Sequence, residues 1–580
     1  DIPIKNGNRI TYKKIYFPRK TVGNQNKDPK KGVIIEKSFA LSLYPRVKSS
    51  ETPISYSVGI AELSIPNNNE LLETKFYNSV STQSIPFSHK AKRAISPIQT
   101  EQTIIEERFD IIQVTVGTVK NIIIPIWIDY TGNTGDSYEF TIDFGTTNSH
   151  IEYKIDGQGA EKAFDITKND EQISFLMPTP NELQLRLDEI QDVLDLETHL
   201  TQEVLSRHFG DGEIRNAPFR TCLVQNADIN FAQPTNILTH TNIGFDYEKR
   251  DIRGYLKIFT DLKWANVKEN NVKRVEQYIE QMLVLCKNKV LMNNGNLKNT
   301  KITWFYPVSM TTYRLNSFRS IWSKMFEKTF GKGSDGLLCY PESIAPFYYY
   351  KANENINTHA KPSVSIDIGG GTSDVMIFSD GEPNLITSFK FAGNSIFGDG
   401  FNGNIRTNGF VQKFYERFQD QLSQNDLLAE KLILDKIYNE NASSVDLVNF
   451  LFSLKNNKIL NDKKIDLDFS RMLNDDNDLK IIFLLFYSSI VYHIAEMMKI
   501  KGMEAPRNIL FSGTGSKTLS ILDSDNKLGS LKKLFEAIFN EVYQDTTSKI
   551  KLKASVNPKQ ITCKGGFYID ANLNINNHND

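Results

Sequence analysis

The sequence predicts an α/β protein of two related lobes preceded by a β-rich accessory domain. Three observations carry that reading. Tyr138 to Tyr153 and Ser363 to Phe378 each read as strand, aspartate, glycine turn and returning strand. Each of these stretches is followed by long segments with helical spacing of apolar residues. Residues 1–136, by contrast, show short alternating runs separated by Asn, Ser, Pro and Lys-rich turns. The expected division is an accessory domain over 1–136, a first lobe over 137–362 and a second over 363–580, its last segment returning toward the first lobe.

In SVSIDIGGGTSDVMIF, Val364, Ile366 and Ile368 alternate with smaller or polar residues, Gly369, Gly370 and Gly371 break the pattern, and Val375, Ile377 and Phe378 resume it. A turn without Cβ atoms lets backbone N–H groups converge on a phosphate. Asp367, at the end of the first strand, can hold a hydrated metal ion, while Thr372 adds a hydroxyl and Asp374 a second carboxylate. One such hairpin would be an ordinary turn, but the chain supplies another. In YEFTIDFGTTNSHIEY, Phe140 and Ile142 lead to Asp143, Gly145 turns, Thr146, Thr147, Asn148 and Ser149 follow, and Ile151 resumes. Two copies suggest two lobes closing on one ligand.

The hairpins resemble the phosphate motifs of the sugar kinase, heat-shock chaperone and actin superfamily of ATPases. The likeness is strongest to the nucleotide-binding domain of DnaK-type chaperones and to bacterial actin-like proteins. Further signatures follow in the order that superfamily uses. PESIAPFYYY, from Pro341, is similar to its first connecting helix and puts Glu342 at the acidic position near the attacking water. ITWFYPVSMTTYRLNSF, from Ile302, resembles the strand and helix that precede it. NILFSGTGSK, from Asn508, resembles the adenosine motif, and NPKQITCKGG, from Asn557, the second connecting segment, where Gly565 and Gly566 would permit close helix crossing. SGTGSKT is not a Walker loop, because Ser516 stands where the glycine before Lys517 is required.

The resemblance implies a two-lobed actin-like ATPase fold with duplicated ribonuclease H-like lobes, binding ATP or ADP with Mg2+. It implies catalytic roles for Asp143, Glu342, Asp367 and Thr372, with Asp143 and Asp367 orienting the ion through water. Nucleotide contacts would come from Gly145, Thr146, Thr147, Asn148, Gly369, Gly370, Gly371, Asp374, Gly398, Gly513, Thr514, Gly515 and Ser516. In DnaK-type proteins the first lobe also lends a lysine to the phosphates; Lys249, Lys257 and Lys263 are all equivalents by position. FKFAGNSIFGDGFNGNI resembles the segment after the second hairpin, with Gly393, Gly398 and Gly400 at turns.

At 580 residues the chain has ample length for several domain-sized units. Its 40% hydrophobic and 24% charged residues are ordinary for a globular protein. A net charge of −1 gives no global pull toward nucleic acid or anionic membrane. Cys222, Cys286, Cys339 and Cys563 lack metal-ligand spacing, which favours reduced thiols and a cytoplasmic location. The chain opens on Asp1 with no secretory leader, as expected of a fragment of a longer parent.

Other stretches read as structure. The loop PRKTVGNQNKDPKKG, with Arg19, Lys20, Lys27, Lys30 and Lys31, is a solvated loop before it is a site for an acidic partner. NIIIPIWIDY, from Asn121, reads as a buried strand leading to the first hairpin. A helix is predicted over 182–207; its Asp188, Glu189, Asp192 and Asp195 form a solvated face, and His199 and His208 lack ligand partners. Val275, Tyr278, Ile279, Met282, Leu283 and Cys286 mark a helix packed beneath a sheet. Ile481 to Met498 is too short and too interrupted by polar residues to favour a membrane span, and reads as a buried helix.

The leading functional expectation is a slowly hydrolysing ATPase used as a nucleotide-dependent switch, with a protein partner of unstated identity. The alternatives are an actin-like filament former, a small-molecule kinase for which no acceptor-activating base is identifiable, and a nucleotide-binding scaffold.

Overall fold

The structure is a computed structural model of the 580-residue chain. It describes residues 39–177, 207–245 and 256–570, apart from 51, 63–71, 80, 82, 88, 96–97, 117–118, 214, 261, 266–267, 355, 357–360, 399–404, 440–443, 457, 524–527, 547 and 556, and adds four short strands before residue 39. The helix predicted over 182–207 with its acidic face and His199, the basic loop near residue 25, Lys249 and Gly400 lie outside the described residues. The chain divides into two compact units, Asp1–Thr131 with Glu171–Arg207, and Gly132–Asp170 with His208–Asp580. This division falls a few residues before position 136 and groups 171–207 with the N-terminal part of the chain.

All regular elements described in the first unit are strands. Phe39–Tyr44, Tyr56–Glu62, Ile98–Ile105 and His89–Ile95 form a sheet that Ser174–Leu176 joins at the outer side of Phe39–Tyr44. Leu72–Tyr77, Ile111–Val116 and Val119–Ile123 form a second, antiparallel sheet. Tyr56, Phe76, Phe109 and Trp127 meet edge to face, with ring centroids 5.1 to 5.4 Å apart, and fix this unit's core. The stretch from Asn121 is not a buried strand. Val119–Ile123 is an edge strand, and Ile122, Ile124 and Ile126 are exposed. The run is apolar on both faces of its two-residue period, whereas an edge strand of a three-stranded sheet has only one face covered.

The second unit holds two larger sheets. The first contains β1 (Ser137–Phe144), β2 (Asn148–Ile155), β3 (Gln158–Ala163), β4 (Asn296–Tyr306) and β5 (Leu337–Pro341), in the order β3-β2-β1-β4-β5. The pairs β1–β2 and β2–β3 are antiparallel; β1–β4 and β4–β5 are parallel. The second contains β6 (Ser363–Ile368), β7 (Ser373–Ser379), β8 (Glu382–Phe389), β9 (Asn508–Ser512) and β10 (Lys551–Ala554), in the order β8-β7-β6-β9-β10, with the same sequence of antiparallel and parallel pairs. In both sheets the strand ending in the motif aspartate is central.

Parallel crossovers need helices, and they supply the layers. α1 (Glu269–Met292) and α2 (Thr312–Phe330) serve the first sheet. The predicted apolar face of α1 is buried, and Tyr278 packs on Phe144 at the end of β1, centroids 5.3 Å apart. Trp304 of β4 stacks on Trp322 of α2 at 5.1 Å. α3 (Ile344–Glu354) follows β5 and covers one face of the second sheet, where Phe347 lies on Phe378. Val364, Ile366 and Ile368 of β6 point to the other face, against α5 (Asn477–Ile500) and α6 (Gly529–Tyr543). The short helix α4 (Gly393–Phe397) follows β8.

Between α4 and α5, helices including Gly409–Gln424, Leu428–Asn439 and Ser444–Ser453 enclose a core of their own around Phe414, Phe418, Leu451 and Phe469. The Asn/Asp-rich stretch that follows them contains a further helix, Phe469–Asn474, whose N-terminus Asp468 caps through the N–H groups of Ser470 and Arg471.

α5 is longer than the apolar run suggested, because Asp476 caps a polar first turn that continues into it. At 24 residues it is long and apolar enough to cross a membrane by length and composition. Phe486, Tyr487, Ile490, Val491 and Ile494 are buried in the second unit, while Ile481, Leu485 and Ile500 are exposed.

Candidate functional site

Each motif aspartate is carried to the end of a central strand because the residues before it are locked into the sheet core. Asp143 follows Phe140 and Ile142, Asp367 follows Val364 and Ile366, and both carboxylates are buried. They are brought together by α7 (Pro558–Gly566), the second connecting segment. Lys559 Nζ donates to Asp143 Oδ2 at 2.5 Å, and Thr562 Oγ1, one turn on, donates to Asp367 Oδ2 at 3.3 Å. α7 can sit so close because Gly565 has no side chain: a Cβ there would lie 1.9 Å from the carbonyl oxygen of Ala345 in α3. A Cβ on Gly566 would meet the Phe305 ring at 2.7 Å. The two glycines give the close helix crossing that the sequence suggested.

The first turn is tightly specified. A Cβ on Gly145 would strike the Asn148 carbonyl oxygen at 2.4 Å and Lys559 Nζ at 2.5 Å. Thr221 holds the turn from outside, its hydroxyl donating to Gly145 O at 2.7 Å and its N–H to Thr147 O at 2.9 Å. Trp264 Nε1 donates to Thr146 Oγ1 at 3.0 Å. Thr147 and Asn148 line the cleft. Ser149 does not join them. Its hydroxyl is buried behind the turn, bonded to Thr221 and Tyr278, because it is already inside β2 and alternation points it inward.

In the second turn Gly369 N–H donates to Thr372 O at 2.9 Å, and α4 docks on it, with Gly393 N–H on Gly369 O and Asn394 N–H on Gly370 O. A Cβ on Gly370 would come within 3.4 Å of Thr147 Oγ1, which places the two turns face to face. Gly371 has open space around it. Gly398 is at the far end of α4, where its carbonyl accepts from Asn408, and is not among the cleft residues; Gly393 and Asn394, at the start of α4, are.

The adenosine motif leaves β9 through Gly513, at φ +79, where a Cβ would meet Ile368 O at 2.4 Å and Asp367 Oδ1 at 2.6 Å. Thr514, Gly515, Ser516 and Lys517 then form a tight turn that lines the cleft. Tyr487 of α5 fixes that turn by donating to Gly515 O at 2.6 Å. The cleft is about 600 Å³, polar at Thr147, Asn148, Gly370 and Ser516 and apolar at Phe397, Val448, Phe452 and Ile521. That volume and that division suit a ligand with one charged and one flat apolar part.

Glu342 begins the turn between β5 and α3 and pairs with Lys263. Of the two candidate lysines among the described residues, Lys263 is at the carboxylate cluster and Lys257 is exposed on a strand. Burial, then Glu342 and Asp143, push Asp367 up to about 6. Asp374, its neighbour across the ladder, is pushed up to about 8 by burial and Glu342. Lys559 is raised despite its burial, chiefly by Asp143. Desolvation by the surrounding protein, followed by Lys559, lowers Lys517, whose side chain still reaches solvent.

Asp143 Oδ1 and Asp374 Oδ1 are buried with no hydrogen-bond partner among the described residues. Open carboxylate oxygens beside a polar cleft are the donor set a hydrated Mg2+ takes, so the residues fit that ion through water. No group of three His, Cys, Asp or Glu among the described residues could hold a metal directly.

Sequence reasoning passed over Lys559, Lys517, Thr562 and Asn394. A signal for Lys559 was present. A lysine in the first turn of a helix opposes the helix dipole and calls for a buried acid beside it.

No family model matches the chain, and no curated protein matches it either. Some solved structures are similar to it. Spiroplasma citri MreB5 bound to ADP is 13% identical over 74% of this chain and 94% of that one, with a TM-score of 0.31. The same protein bound to AMPPNP gives 13%, 74%, 94% and 0.30. The ethanolamine utilization protein EutJ from Carboxydothermus hydrogenoformans is 10% identical over 75% and 92%, with a TM-score of 0.29.

Proposed function

We propose that the second unit binds ATP and ADP in the cleft between the two glycine turns and hydrolyses ATP slowly, as a nucleotide-dependent conformational switch. The observation that carries this is the meeting of the two turns. Thr147 and Gly370 face one another, and one helix, α7, hydrogen-bonds the aspartates of both hairpins. Backbone N–H groups and hydroxyls of the turns would take the phosphates, and the apolar wall at Phe397, Val448 and Phe452 the base. Asp143 and Asp367 would hold Mg2+ through water, and the ion would supply charge neutralisation at the phosphate oxygens.

Glu342 and Asp367 would position the attacking water, Lys263 fixing the Glu342 carboxylate. Thr372 would stand near the terminal phosphate. Because α7 bonds to residues of both sheets, a change in phosphate number at the turns has a direct route to the packing between them. A protein that reads this change would be the partner.

Calorimetric titration of ATP and ADP, with phosphate release measured on the same samples, tests the reading. Wild type is expected to bind both nucleotides, and Asp367→Asn to bind them while releasing phosphate about 100-fold more slowly. Failure of the wild type to bind either nucleotide would sink the proposal.

A further inference from the structure

We infer that Lys559 is a built-in cation of the first phosphate turn, one that meets nucleotide phosphate directly and so reduces the dependence of binding on Mg2+. The inference rests on the nucleotide reading above and concerns how its charge is met.

A carboxylate that is to orient a hydrated divalent ion must have its oxygens open to that ion. In this chain the two aspartates differ on that point. Asp367 accepts from the Ser512 and Thr562 hydroxyls, which are neutral. Asp143 already carries a full counter-charge, because Lys559 Nζ is 2.5 Å from Oδ2, with 12% of the lysine side chain and 5% of the aspartate exposed. A pair this enclosed persists through ligand exchange, since separating it leaves a charge buried without compensation.

The ammonium is also placed for a second task. It occupies the room left by the absent side chain of Gly145, the residue that opens the turn. An ammonium has three donors, and Asp143 is the one acceptor that Lys559 meets among the described residues. Its place at Gly145 puts the ammonium beside the turn whose later residues, Thr147 and Asn148, line the cleft. Lys517 lines the cleft from the adenosine turn, so one protein cation stands at the cleft and Lys559 stands beside the first turn. Mg2+ held through Asp143 Oδ1 and Asp367 would then join protein cations already beside the turns rather than supply the first one.

The test is ADP affinity in excess Mg2+ and in excess EDTA, by calorimetry, for wild type and for Asp143→Asn/Lys559→Met. The double variant removes the pair together and leaves no unpaired buried charge; a thermal melt checks that it folds. Wild-type affinity is expected to change by less than about tenfold between the two conditions. The double variant in EDTA is expected to bind at least about tenfold more weakly than wild type and to recover part of that loss in Mg2+. Wild-type binding that falls tenfold or more in EDTA, or a double variant as tight as wild type in EDTA, overturns the inference while leaving nucleotide binding intact. A wild type that binds no ADP in either condition removes both the inference and the function it rests on.

Discussion

Asp143 ends its strand against an ammonium group, whereas Asp367, at the same place in the second sheet, ends against two hydroxyls and faces Asp374 across the ladder. The backbones around them are alike: central strand, short turn, antiparallel return, and two parallel strands on the other side. What differs is the sign of the neighbours. The first hairpin is electrostatically satisfied before any ligand arrives. The second holds carboxyls whose affinity for protons is raised by burial and then by the charge of Glu342. One fold can thus set one aspartate as a fixed charge and its counterpart as a group waiting for a cation.

The difference can be broken from either side, with opposite signs. Lys559→Met alone should be the largest effect, a loss of about 3 to 5 kcal/mol in urea unfolding, because Asp143 would be left in a buried site without its partner. Adding Asp143→Asn should recover most of it. If the single variant is as stable as wild type, the pair is not the enclosed contact described here.

Asp367→Asn should instead stabilise the nucleotide-free protein in EDTA. The sign follows from linkage. The folded state raises this carboxyl from 3.8 to about 6, so between those values the native protein holds a proton that the unfolded chain has lost. Stability contributed by the group therefore falls as pH rises through that window and stays low above it. The variant should match wild type near about pH 4 and exceed it above about pH 6, by on the order of 3 kcal/mol at most. A gap between the two urea midpoints that does not change with pH would contradict the assignment.

Much of this arrangement was legible in the sequence, because the hairpins depend on local pattern. Alternation up to Asp143 and Asp367, with glycine immediately after, prescribes a strand ending at a turn, and the order of the remaining motifs prescribes which strands lie beside it. The charge around each aspartate was not legible, since it depends on residues distant in the chain: Lys559 reaches Asp143, and Lys263 reaches Glu342. Burial was misjudged where it depends on sheet position. The isoleucines from Ile122 to Ile126 have the pattern of a covered strand and stand at an edge. Glycine was over-read as well, for Gly371 carries the same letter as Gly513 without its constraint, and Gly398 is crowded by the Asn394 carbonyl of its own helix but stands outside the cleft.

That last contrast gives the smallest effect and a sharp one. The three glycines of the second turn look equivalent in the sequence, and only two of them are crowded. A Cβ on Gly370 would come 3.1 Å from Asn394 Oδ1 and 3.4 Å from Thr147 Oγ1, at the point where the two turns face each other. A Cβ on Gly371 would meet nothing within 4 Å, and its φ is not in the left-handed region. Gly371→Ala should therefore be neutral or stabilising by about 0.4 to 1 kcal/mol, since alanine restricts the unfolded chain more than the folded one. Gly370→Ala has the same unfolded-state gain but must push Asn394 or Thr147 aside, so it should weaken ADP binding by about tenfold while changing stability little. Equal ADP affinities for the two variants would mean that the turns do not close on the ligand together, and that the facing of Thr147 and Gly370 has no part in binding.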